Sequence, residues 1–283
     1  MKPPTRTAIV TDSTADIPQE LVEEHHIQVV PNVIVIDGES LEDGTGISRQ
    51  DFYTRLPEMK TTPTTATASS GTYQVMYEGL LQQGYEDILS IHTSSLLSGI
   101  FNAASVAAQS FGERVQVIDS GYVTMGLGFQ VLAAAEGAMN GWGRQAILER
   151  LKDVRQRVRI IAMLDTLEYL RRSGRVSWAK ARLGNWLHLK AFVEVKYGRV
   201  LSLGEARTRR KGIERLKEFL KNLGPLEQLA MLHTNAETDA RRILADASPD
   251  LVYRPLVVNI TTIIGTHVGP HGLGFACVLQ SST

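Results

Sequence analysis

Short apolar runs of strand length alternate with longer stretches of helical spacing along most of this chain, and no other feature narrows its fold more. Thr7–Val10, Ile88–His92 and Val115–Ile118 read as strands, with Ile27–Ile36 extended. Pro18 opens a helix to about His26, and Ser48–Leu56, Ser69–Gln83, Ser98–Phe111 and Val123–Met139 carry helical patterns. Strands separated by helices argue for a mostly parallel sheet covered on both faces. The polar stretch Asn140–Gly143 breaks the rhythm, and a basic helix to about Arg157 leads into a second α/β unit at Ile160–Leu164. There Phe192–Lys196 and Arg199–Leu203 read as a hairpin turned at Tyr197-Gly198. A helix over Arg209–Asn222, a strand at Leu229–His233, a helix at Glu237–Ala247 and a strand at Val252–Val257 complete the pattern. The expectation is two α/β domains, residues 1–158 and 159–283, with a mostly parallel sheet in the first, a mixed sheet in the second and a ligand cleft between them.

With 283 residues, 43% apolar and 21% charged, disorder is excluded and a substantial core is affordable. No apolar run approaches the ~18 residues of a membrane span. The N-terminal stretch does not resemble a secretory signal, and a lone Cys277 permits neither an internal disulfide nor a cysteine-rich metal site. A cytoplasmic setting, with no bound metal or cofactor, is the expectation. Walker, nucleophile-elbow and H-E-x-x-H patterns are absent. Gly141-Trp142-Gly143 follows no strand, so a dinucleotide site is not expected there, and no nucleic-acid module is recognisable. The zero net charge hides an asymmetry: residues 1–140 carry 6 Lys/Arg against 17 Asp/Glu, and residues 141–221 carry 21 against 8. A basic middle third suits an anionic ligand, an anionic surface or an acidic partner.

Hydroxyl residues gather where strands should end: Asp12-Ser13-Thr14, Thr93-Ser94-Ser95 and Asp119-Ser120-Gly121, with Thr61-Thr62-Pro63-Thr64-Thr65 between two helices. Such places are either ordinary helix caps or donors to an anion at the carboxyl edge of a sheet. Gly265-Thr266-His267-Val268-Gly269-Pro270-His271-Gly272-Leu273-Gly274 reads as a tight loop that brings an imidazole to a ligand, or as a structural turn with incidental histidines. Trp178–Lys190 has an amphipathic pattern; Trp178 and Trp186 with Lys180, Arg182 and Lys190 suit either core packing or a transient membrane contact.

I-V-T-D-S-T-A-D-I-P at 9–18, T-S-S-L-L-S-G at 93–99, V-I-D-S at 117–120, L-R-R-S-G-R-V-S at 170–177, A-R-T-R-R-K at 206–211 and G-T-H-V-G-P-H-G at 265–272 together resemble the DegV family of fatty-acid-binding proteins. The likeness runs from about Thr7 to Leu279 in family order. It implies two α/β domains enclosing one long-chain fatty acid, with an acyl tunnel and a carboxylate near the interdomain cleft. It also implies a carrier without chemistry of its own that presents the acid to a separate fatty-acid kinase for acyl-phosphate formation. Matched by motif, the carboxylate contacts are Thr61 or Thr62, Ser95 with Ser94, and His267, with Arg172 near the site and Arg207 toward the kinase. The threonine run departs from the family's usual T-S-Q-P-S, and His271 replaces a usual glycine. Two rivals stand beside it: a hydrolase using the same cleft, with Ser95 as nucleophile and His267 as base, and a phosphotransfer component of sugar or polyol metabolism, whose architecture the first domain shares.

Overall fold

The computed structural model describes residues 6–176, 189–247 and 251–281 and divides into two compact units. The first comprises the chain up to Val33 with Ala66–Gln156, and the second Ile34–Thr65 with the chain from Arg157 onward. The first unit is built on the parallel order β2-β1-β6-β7, where β1 is Thr7–Asp12, β2 Gln28–Val30, β6 Asp87–His92 and β7 Val115–Asp119. All six residues of β1 are buried, as expected of a strand covered on both faces. On one face Val10, Val30 and Ile88 pack with Tyr73, Tyr77 and Leu80 of α3 (Ser70–Gln82) and with Ile100 and Ala104 of α4 (Ile100–Ala108). Helix α5 (Met125–Met139) packs on β1, buried for most of its length, and α6 (Arg144–Arg157) follows. Helix α1 (Gln19–Glu24) begins after Pro18.

The second unit holds a mixed six-stranded sheet in the order β10-β9-β8-β13-β11-β12. Its strands are β8 (Val158–Leu164), β9 (Lys190–Lys196), β10 (Arg199–Ala206), β11 (Leu226–His233), β12 (Leu256–Asn259) and β13 (Leu273–Leu279), all antiparallel to their neighbours except the β11–β12 pair. Tyr197 and Gly198 both take positive φ, 48° and 73°, the pairing that a two-residue hairpin turn demands. Met163, Phe192, Met231, Phe275 and Cys277 pack with Leu216 and Leu220 of α8 (Arg209–Lys221) and Ile243 of α9 (Glu237–Ala247). A small sheet, β4-β3-β5, joins β3 (Val33–Ile36), β4 (Glu39–Glu42) and β5 (Thr64–Ala66), and α2 is Arg49–Arg55. Two further helices are α7 (Glu168–Ser173) and α10 (Thr262–Val268).

Several details differ from the sequence reading. A single cut near residue 158 does not describe the division, because Ile34–Thr65 groups with the second unit. Its anchors are polar and distant in sequence: Asp43 accepts from Thr262, Arg49 donates to the Asn259 carbonyl, and Tyr53 donates to the carbonyls of Ile260 and Thr261. The extended stretch Ile27–Ile36 is two strands broken at Pro31-Asn32, and β12 begins at Leu256 rather than Val252. Lys190 opens β9, its ammonium 2.9 Å from Asp165, instead of ending a helix. Trp178, Lys180, Arg182 and Trp186 lie outside the described residues.

The first unit is tied together at the carboxyl end of β1 by Asp12, which is fully buried. Its carboxylate accepts from the Thr14 amide at 3.0 Å, the Thr14 hydroxyl, Asn32, His92 Nδ1 at 2.9 Å and the Thr93 amide at 3.3 Å. Burial alone would raise the Asp12 pKa, but the hydrogen bond and charge of His92 and the bonds from Thr14 outweigh it and hold the carboxyl below its usual range. The chain continues from His92 Nε2 to Ser90 Oγ at 2.7 Å and from there to the Tyr77 hydroxyl at 2.8 Å, all of it buried. Asp12→Ala strands several buried donors at once, so it should lower unfolding stability by roughly 3–5 kcal/mol, read from the urea midpoint. Asp12→Asn, which keeps the shape and one acceptor oxygen, should cost less in the same measurement.

Candidate functional site

His267 sits in the last turn of α10, whose start is held from several sides. Thr261 caps the helix, its hydroxyl accepting from the Ile264 amide at 3.3 Å. Asp43 Oδ1 takes both the Thr262 amide, 3.3 Å, and the Thr262 hydroxyl, 2.9 Å. The helix stops at Gly269, whose φ of 77° and contact with the Tyr169 ring leave no room for a side chain: an added Cβ would lie 2.3 Å from that ring. The sequence reading made all of 265–274 a loop, but Thr262–Val268 is helical and the turn proper is Gly269–Gly272. That turn is stitched to Thr234, which accepts from the Gly272 and His271 amides at 2.6 and 2.7 Å.

The His267 imidazole is largely withdrawn from water. Its Nε2 lies 3.4 Å from the Thr65 hydroxyl, while Nδ1 is buried with no hydrogen-bond partner among the described residues. Burial, with a smaller contribution from the positive charge of Arg175, pushes its pKa down to about 4. The ring is therefore neutral near pH 7, carrying one N–H and one lone pair, and its Nδ1 is a polar atom without a partner among the described residues.

The other residues singled out from sequence fall into two sets, one in each unit. In the second unit Thr61 and Thr62 are exposed just ahead of β5, and the hydroxyl that reaches the imidazole belongs to Thr65. Arg172 is exposed and ion-paired with Glu168 one turn away in α7, whereas the cation whose charge His267 feels is Arg175. Arg207 is exposed between β10 and α8, as are Arg210 and Lys211, but Arg209 of the same cluster is bound to Asp165 and Asp239 and donates to the His271 carbonyl. His271, at φ 61°, is exposed and lines an open hollow of 490 Å³ with Asp165, Lys190, Arg209 and Asp239.

In the first unit, Ser94 is buried, its amide donating to the Tyr122 carbonyl at 2.9 Å and its hydroxyl accepting from Leu96 at 3.3 Å. Ser95 is exposed and pinned by Asp119, which accepts its amide at 3.2 Å and its hydroxyl at 2.6 Å. Asp119, which the sequence places in one of the strand-end clusters, is the partner that fixes Ser95. Among the described residues no group of three or more His, Cys, Asp or Glu side chains could hold a metal, and no helix is long and apolar enough to cross a membrane.

The family description "Uncharacterised protein, DegV family" matches residues 6–280. The chain belongs to the DegV family. A DegV domain-containing protein of Caldanaerobacter subterraneus subsp. tengcongensis is 33% identical over 274 residues, covering 95% of this chain and 97% of the relative. Among solved structures, the DegV family protein from Thermus thermophilus, described by its fatty-acid binding, superposes with a TM-score of 0.89 at 32% identity, covering 98% of this chain and all of that one. Bacillus subtilis DegV, described as a fatty acid binding protein, gives 0.82 at 31% identity over 97% and 99% of the two chains. The DegV assignment also accounts for the α/β architecture of a parallel and a mixed sheet.

His233 shares the low basicity of His267: burial takes it down to about 4, the nearby charge of Glu237 only partly opposing the shift. Between pH 6.5 and about 4 the unfolded chain binds protons that these two folded imidazoles refuse, so stability should be level above pH 6.5 and fall as pH drops through that window. Urea unfolding at pH 7, 5.5 and 4.5 measures the slope, and His267→Gln should make it shallower.

Proposed function

We propose that this protein binds one long-chain fatty acid and presents its carboxyl to a separate fatty-acid kinase for acyl-phosphate formation, without performing chemistry itself. The observation that carries the reading is the half-buried, neutral His267, its Nε2 beside the Thr65 hydroxyl and its buried Nδ1 without a partner among the described residues. Fatty-acid binding in the Thermus and Bacillus relatives supports the ligand class. Each buried methylene contributes ~0.8 kcal/mol, so a sixteen-carbon tail supplies roughly 12 kcal/mol before association costs. A carboxylate dragged in with that tail needs donors to offset its desolvation, and an imidazole N–H with threonine hydroxyls supplies them.

Thr61, Thr62 and Arg172 are proposed as further contacts in the second unit, and Ser94 and Ser95 in the first, on the strength of the family motifs. The hydrolase alternative gains no support within the first unit, where the Ser95 hydroxyl donates to the Asp119 carboxylate. Cytoplasmic residence and collection of the acid at a membrane surface through Trp178 and Trp186 are parts of the same proposal.

Organic extracts of the denatured protein should contain a long-chain fatty acid near one per chain; repeated extracts without one, and no binding of added palmitate or oleate, would refute the reading. His267→Ala should weaken palmitate binding about 5- to 150-fold, equivalent to losing one or more donors to a buried carboxylate. Ser95→Ala should act in the same direction, and comparison of Thr61→Ala, Thr62→Ala and Thr65→Ala by titration identifies the threonine that matters.

The kinase half of the proposal rests on Arg207, which stands exposed beside Arg210 and Lys211 at the start of α8, where a helix N-terminus disfavours cations. Arg207→Ala should leave palmitate affinity within about twofold yet strongly reduce acyl-phosphate formation with a cognate kinase, an effect that fades for the remaining cluster at high salt. Parallel loss of affinity and turnover would instead place Arg207 in the ligand pocket.

A further inference from the structure

We propose that Tyr53 is a positioning residue for the His267 imidazole, an inference that rests on the reading of His267 as the carboxyl contact. Tyr53 lies on α2 and is 1% exposed. Its hydroxyl donates to the carbonyls of Ile260 and Thr261, each at 3.1 Å, the two residues through which the chain leaves β12 and enters α10. Its ring lies against the α10 backbone at Gly265, where an added Cβ would stand 2.3 Å from the hydroxyl oxygen and 2.6 Å from two ring carbons. Only glycine permits that approach, and it falls two residues before His267.

A helix of seven residues does not hold its own direction, since isolated helices shorter than about 12–15 residues are marginal in water. At a rise of 1.5 Å per residue, His267 sits about 7–8 Å beyond the first residue of α10, so a tilt of about 10° at that pivot moves the ring by more than 1 Å. Binding geometries are held to about 0.5 Å where they work. The segment Ile34–Thr65 grips the helix at both levels: Asp43 and Tyr53 at its start, and Thr65 at the imidazole itself. A phenylalanine would fill the same space against Gly265; the hydroxyl adds the two bonds that fix the entry of the helix.

Tyr53→Phe keeps the ring and removes those bonds. Palmitate affinity should fall about 5- to 20-fold while the thermal midpoint moves by only a few degrees. The deciding measurement is a double-mutant cycle: if Tyr53 acts through His267, Tyr53→Phe should cost little further affinity in the His267→Ala background. Where His267→Ala weakens binding, an unchanged affinity in Tyr53→Phe, or a loss that adds in full to that of His267→Ala, overturns the proposal. Nitrogen-15 NMR titration of the His267 ring gives an independent readout. Tyr53→Phe should raise its pKa toward 6.5 as the ring loses its fixed burial, and an unaltered titration overturns the inference. That titration decides even if His267→Ala binds palmitate normally, an outcome that removes the carboxyl reading but not the positioning. Gly265→Ala, which pushes the helix off the same ring from the other side, should reproduce both signatures more strongly.

Discussion

The fully buried Asp12 carboxylate is the interaction on which the carboxyl edge of the first sheet depends. Five donors converge on it, from the turn after β1, from Asn32 beyond β2, and from His92 and Thr93 at the end of β6. Without it these buried donors would lose their common acceptor, and a carboxylate there without them would be prohibitive. Because Thr93 is one of the donors, the position of the Ser94-Ser95 loop follows from how Asp12 is satisfied. The order Ser90–His92–Asp12 has the hydrogen-bond sequence of a nucleophilic triad, yet all three are fully buried and Tyr77 occupies the serine oxygen. In this place the arrangement is architecture, joining α3 to β6 and β1.

The alternation of strands and helices was legible because parallel strands and amphipathic helices write their periods locally. β13 was not. Its Leu273–Leu279 run is buried almost throughout, so it shows no alternation, and it follows a glycine-rich turn that hides its start. Only pairing with β8 on one side and β11 on the other gives it a place. The affiliation of Ile34–Thr65 was hidden for a related reason: Asp43 and Thr262 are 219 residues apart, and neither side of that bond announces the other. The family motifs single out His267, but that the hydroxyl beside its ring belongs to Thr65 follows only from the strand geometry of β5.

Charge patterning was legible as a total and misleading as a surface. Part of the basic middle third is engaged in partly buried pairs: Arg144 with Asp87, Arg157 with Glu227, Lys190 with Asp165, and Arg209 with both Asp165 and Asp239. These partly buried pairs fix strand ends and helix starts, and they are screened less by salt than exposed ones. What stays exposed at the start of α8 is the smaller group of Arg207, Arg210 and Lys211.

On the proposed reading of His267 as a carboxyl contact, a neutral imidazole suits an anionic head group better than the basic stretch of sequence first suggests. A permanently charged group at the position of His267 would have to be desolvated whether or not a ligand were present, and without a partner that cost falls on the folded state. Neutral His267 carries only the smaller burden of one unpartnered nitrogen. Threonine hydroxyls extend the same economy, since they turn toward a carboxylate as donors and back toward the ring as acceptors without carrying charge. Selectivity then comes from geometry: neutral donors are effective only when they converge, so the braces on α10 matter more here than they would around an arginine. The glycine beneath the Tyr53 ring and the distant Asp43 anchor hold the seven-residue helix in the way that the proposed recognition of an anion by uncharged groups requires.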